Sequence, residues 1–95
     1  MRYKVGDVVR IRKDLATGIK YADDHGDTWV CEPGMKNDVV RNNYIATIIE
    51  ARSKEEWDRE GYRLDISPRP FFNDGMITGY ALNVHTNDIL NFLGV

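Results

Sequence analysis

The run Tyr44-Ile45-Ala46-Thr47-Ile48-Ile49 does most to limit what this chain can fold into. It is short and crowded with β-branched residues, so it suits a pleated strand. Of its two final isoleucines, Ile48 is expected inward. The same strand pattern recurs in shorter pieces. Val9 and Ile11 alternate with Arg10 and Arg12 in a strand expected over residues 8–13. Tyr62, Leu64 and Ile66 alternate with Arg63 and Asp65, and Tyr80, Leu82 and Val84 alternate with Ala81, Asn83 and His85. Such alternation sends one set of side chains to a core and the other to the opposite face. Pro68 and Pro70 end the second of these strands, and Asn73-Asp74-Gly75 signals a turn.

Between the first strand and the β-branched run the pattern dissolves. Residues 14–43 hold Gly18, Gly26, Pro33-Gly34 and several Asp and Asn, which predicts a long loop with at most one short strand or turn near 28–31. Ser53-Lys54-Glu55-Glu56 has the form of a capping box, predicting a helical turn over 54–60 that stops at Gly61. Thr86 is placed to cap another single turn before a last strand near 92–95. The expected fold is therefore mainly β. It is a single domain over 1–95, a small SH3-like barrel of four to five short strands with a long early loop and a short helical turn.

The series from Val5-Gly6-Asp7-Val8-Val9-Arg10-Ile11-Arg12-Lys13-Asp14-Leu15 through Met35, Ala46-Thr47-Ile48, Tyr62-Arg63-Leu64-Asp65 and Asp88-Ile89-Leu90 resembles small bacteriophage and prophage proteins with an SH3-like barrel. The resemblance runs in order along nearly the whole chain. It implies the fold and a phage or mobile-element origin, and it carries no catalytic residues. Asn43 stands where that group usually has Gly before the A-T-I strand. The connector 53–60 and the loop 67–78 are longer than its pattern.

Charge and cysteine content narrow the functions. A net charge of -2 supplies no bulk attraction to a phosphate backbone or an anionic membrane. The single cysteine, Cys31, can build neither an intramolecular disulfide nor a zinc site alone. There is no apolar leader after Met1 and no run of membrane-spanning length, so the expected location is the cytoplasm, of the host cell if phage-encoded.

No residue set reads as a catalytic centre, and no cofactor or metal is expected. Asp23-Asp24-His25-Gly26-Asp27 lacks the spacing of a calcium loop and reads as a solvated acidic turn. His85 has no identifiable nucleophile to serve, and Cys31 lies beside Glu32, which disfavours a thiolate. Arg10, Arg12 and Lys13 form a candidate nucleic-acid face, set against an acidic neighbouring loop that disfavours such binding. The aromatic residues Tyr21, Trp29, Phe71 and Phe72 fall in loops, where they either close the core or anchor a partner. Phe71 and Phe72 are the preferred anchors, because adjacent residues on an extended segment point opposite ways and both rarely bury well. The sequence thus predicts a non-enzymatic protein-binding module, and the phage resemblance implies a host protein as its partner, inhibition of a host defence system being one instance. Nucleic-acid binding and self-association into a homo-oligomer are the alternatives.

Overall fold

In the computed structural model of the protein, which describes residues 1–69 and 71–81, the β-branched run becomes the longest strand, β4 (Ile45–Arg52). It pairs antiparallel with β1 (Val8–Ile11) on one side and β5 (Gly61–Leu64) on the other. β6 (Ile77–Tyr80) adds antiparallel to the free side of β1, giving the order β5-β4-β1-β6. A second sheet is the two-stranded hairpin of β2 (Lys20–Ala22) and β3 (Thr28–Val30). The protein is mainly β, with six strands in two antiparallel sheets among the described residues. Neither of these sheets closes on itself, so they do not by themselves make the expected barrel.

One face of the larger sheet supplies the core through Val9, Ile11, Ala46, Ile48, Tyr62, Leu64 and Ile77. Ile48 is fully buried while Ile49 is 52% exposed, as the alternation predicts. Phe72 and Met76 pack into the same cluster from the segment beyond β5, and Leu15, Tyr21, Met35 and Val39 enter it from residues 14–43.

Residues 14–43 are the first correction. Instead of a long loop they form the β2–β3 hairpin and a helix, α1 (Met35–Arg41). The hairpin turn is organised by Asp23, whose Oδ1 accepts the main-chain N–H of His25 at 2.8 Å and of Asp27 at 3.1 Å. Asp23 is consequently buried, which corrects the reading of this segment as wholly solvated. The helix is hard to see in the sequence because Asn37, Asp38 and two adjacent valines are indifferent helix formers. Packing decides instead: Met35 and Val39, four residues apart on one face, are both fully buried. Asn43 follows with φ 56°, a left-handed conformation that Gly adopts freely and Asn tolerates.

Two strand readings also change. β1 ends at Ile11, where its register against β6 slips, so Arg12 lies beyond it. In β6 the phase is set by buried Ile77, which turns Tyr80 outward to 44% exposure; its ring lies edge-on to Tyr3 at 5.3 Å. The expected continuation of that strand through His85, the turn from Thr86 and the strand near 92–95 lie outside the described residues.

A buried carboxylate fastens α1 to the segment after β5. Asp38 accepts Ser67 Oγ–H at 2.7 Å and Arg69 Nη1–H at 3.1 Å, and also pairs with Arg41. The Ser67 hydrogen bond and the two arginines hold its carboxyl below the ordinary value of 3.8, against the opposing effect of burial.

Ile48→Ala and Leu64→Ala are each expected to lower unfolding free energy by about 2–5 kcal/mol, and exposed Ile49→Ala to change it little, in urea titrations. Ser67→Ala is expected to lose about 1–3 kcal/mol at neutral pH. Because the folded Asp38 pKa is depressed, this stabilisation is present above 3.8 and is lost as pH falls through the folded value. Urea titrations of parent and variant should therefore converge in acid.

Candidate functional site

The hairpin and the β4–β5 connector bring three aromatic rings together. Trp29 lies on β3, opposite Tyr21 in the hairpin register, and its indole N–H donates to the Glu60 carbonyl at 2.8 Å. In the connector, Ser53 opens the short helix α2 (Lys54–Trp57), with the Glu56 carboxylate accepting Ser53 Oγ–H at 3.0 Å. That single turn delivers Trp57 at its end, and Asp58 reverses the chain with φ 71°. Phe71 is the third ring. It meets Trp57 edge-on at 4.4 Å between centroids and Trp29 at 5.7 Å, while the two indoles are 5.8 Å apart.

Gly61 makes this approach feasible. A Cβ there would stand 2.9 Å from Phe71 Cβ and 3.4 Å from Trp29 Nε1. The absence of a side chain lets β5 run directly beneath the rings.

Two guanidinium groups complete the surface. Arg59 Cζ lies 3.8 Å from the Trp29 ring centroid, and its Nη1–H donates to the Thr28 carbonyl at 2.6 Å. Arg52 Cζ lies 5.2 Å from the Trp57 centroid while its Nε–H donates to Glu50 at 2.6 Å. Cation–π contact of this kind holds a flexible arginine flat and leaves its unused donors available. Phe71 is buried, whereas Trp57 is 38% exposed at the outer edge. The result is an ordered apolar ledge with fixed hydrogen-bond donors, the chemistry enriched in protein-interface hot spots.

The sequence-selected aromatics do not stay together. Trp29 and Phe71 belong to the ledge, but Tyr21 is a core residue whose hydroxyl accepts the Ala16 N–H at 2.8 Å. Phe72 is fully buried in the core. The expectation that one of Phe71 and Phe72 remains exposed is therefore corrected. An extended segment alternates its side chains, but here apolar surface waits on both sides: the core for Phe72 and the indoles for Phe71.

The basic face is likewise divided. Arg12 donates to Asp14 at 2.6 and 2.8 Å and to the Gly75 carbonyl at 3.1 Å, with its guanidinium 4.9 Å from the Tyr21 centroid. Arg10 remains within β1 and Lys13 is exposed beyond it, so the three do not form one continuous free stripe. The Asp65 carboxylate accepts the Thr47 main-chain N–H at 2.8 Å.

Trp57 and Arg59 escaped sequence selection because they sit in a connector dense in charge, and Arg52 because it is the charged last residue of β4. The capping box was the available signal: a capped single turn places the lone aromatic of that connector at a fixed position. Elsewhere, burial pushes the Cys31 thiol up, and the Ser67 hydroxyl is committed to Asp38. Among the described residues no group of three His, Cys, Asp or Glu is placed to hold a metal, and no helix is long and apolar enough to cross a membrane. Comparison with known protein families, curated proteins and solved structures finds no match to this chain.

Gly61→Ala is expected to destabilise the protein by about 1–3 kcal/mol, since Phe71 must give way. Phe72→Ala, emptying a core site, should cost about 3–5 kcal/mol in the same denaturant titration.

Proposed function

We propose that this chain is a non-enzymatic protein-binding module built on an SH3-like barrel, with Trp57, Trp29, Arg52 and Arg59 as its contact residues. The observation that carries the reading is Trp57. It is an aromatic side chain held in place by Phe71 yet 38% exposed, beside two arginines fixed by indole rings. A side chain already ordered before binding loses little entropy when a partner covers it. The large apolar ring supplies burial energy, and the guanidinium donors supply orientation.

The sequence resemblance to phage and prophage proteins supports a host protein as partner and the host cytoplasm as the place of action. An inhibitor of a host defence system is one instance of that class. The commitment of Arg12 to Asp14 and Tyr21 weakens the rival nucleic-acid reading. A partner recovered from nuclease-treated host lysate should bind Trp57→Ala more weakly by about 2 kcal/mol or more. Its unfolding free energy should fall by only about 1–3 kcal/mol, the scale of its two aromatic pairs. Equal binding by parent and variant in calorimetry would reject the surface, and recovery of nucleic acid alone would reject protein binding.

A further inference from the structure

Glu60 sits at the junction of the two elements that build the aromatic ledge. Its carbonyl holds the Trp29 indole N–H at 2.8 Å, and its carboxylate is buried, with the side chain only 8% exposed. Among the described residues two basic groups stand at ion-pair distance from that carboxylate. His25 Nε2 is 3.4 Å from Oε1, and the Met1 amine is 3.9 Å from Oε2. His25 belongs to the β2–β3 turn, so its pairing with Glu60 bridges the Trp29 hairpin to the Trp57 connector.

The other charges around this pair are accounted for. Asp24 is neutralised by Arg2 and Asp27 by Lys54, each at 2.7 Å. Asp23 is held by main-chain N–H groups of its own turn, and Arg59 donates to the Thr28 carbonyl. Glu55 on α2 also feels the His25 charge. His25 therefore faces the Glu60 carboxylate, whose other basic neighbour is the Met1 amine, in a turn that already carries Asp23, Asp24 and Asp27.

We infer that His25 and Glu60 form a pH-sensitive clasp, closing the hairpin onto the connector when the imidazole is protonated and loosening it when the imidazole is neutral. Imidazole is the side chain that ordinarily changes charge between about pH 5 and 8. A buried carboxylate that loses the nearer of its two counter-ions is disfavoured, so loss of the imidazolium weakens the closed junction. Lys54–Asp27 and Trp29–Glu60 still tie the elements together, so the junction loosens without opening fully. The clasp is a property of the fold; its consequence for a partner rests on the proposed binding surface.

Nuclear magnetic resonance of the full chain through this pH range tests the clasp without a partner. The Trp29 indole N–H resonance should shift in a single step with the same midpoint as the His25 ring protons. His25→Gln should abolish that step while leaving the Met1 amine in place, and Glu60→Gln should abolish it by removing the acceptor charge. An indole resonance that stays fixed while His25 titrates would overturn the inference, as would a step that survives in either variant. Such a failure leaves the Trp57→Ala binding result standing, and failure of Trp57→Ala to weaken binding leaves the clasp standing.

Discussion

Tyr62 and Phe72 exchange both of their main-chain hydrogen bonds, Tyr62 N–H to Phe72 O at 2.7 Å and Phe72 N–H to Tyr62 O at 2.9 Å. This single antiparallel bridge extends the sheet beyond β5 and decides where the surrounding side chains go. Phe72 is directed into the core and Phe71 toward the indoles. The next residues are then fixed in turn: Asn73 Nδ2–H donates to the Tyr21 carbonyl at 2.6 Å, and Asp74 accepts the Tyr62 hydroxyl at 2.8 Å. That hydroxyl also accepts the Tyr3 N–H at 3.2 Å, so the N-terminal segment joins the same knot. Burial, together with the neighbouring Asp74 charge, pushes the Tyr62 phenol far above its ordinary range, and it stays protonated as a donor.

The strands β1, β4 and β5 were the legible part of this fold. Ile48, Tyr62 and Leu64 point inward because a half-buried strand must alternate, and local sequence is sufficient to state that. Tyr80 shows the limit: the alternation was visible but its phase was set by Ile77, three residues upstream. The helix α1 lay beyond sequence reading because its stability comes from Met35 and Val39 meeting distant core residues, and from Asp38 meeting Ser67 and Arg69. Neither contact leaves a local signature. The Phe71-Phe72 pair failed for a related reason. Alternation correctly separates the two rings, but it cannot say that apolar surface waits on both sides.

The candidate site was half legible. Trp29 and Phe71 stood out as loop aromatics, whereas Trp57 was hidden among Lys54, Glu55, Glu56, Asp58 and Arg59. The fold converts that charged connector into structure through one capped turn and a left-handed residue. Arg52 and Arg59, unremarkable in sequence, become ordered by lying over indole rings and by donating to Glu50 and the Thr28 carbonyl. The ledge is thus a product of long-range placement. Its exposed residue lies outside the core cluster and its support Phe71 is buried, so binding and stability should separate at Trp57 but remain joined at Phe71.

The dependence of the ledge on the Tyr62–Phe72 bridge is tested most directly by amide hydrogen exchange of Phe72 in the native protein. If the bridge organises both faces of this segment, the Phe72 amide should exchange only on global unfolding, with the same opening free energy as the Ile48 amide of β4. Exchange of Phe72 at the rate of an exposed loop, while Ile48 stays protected, would contradict the account.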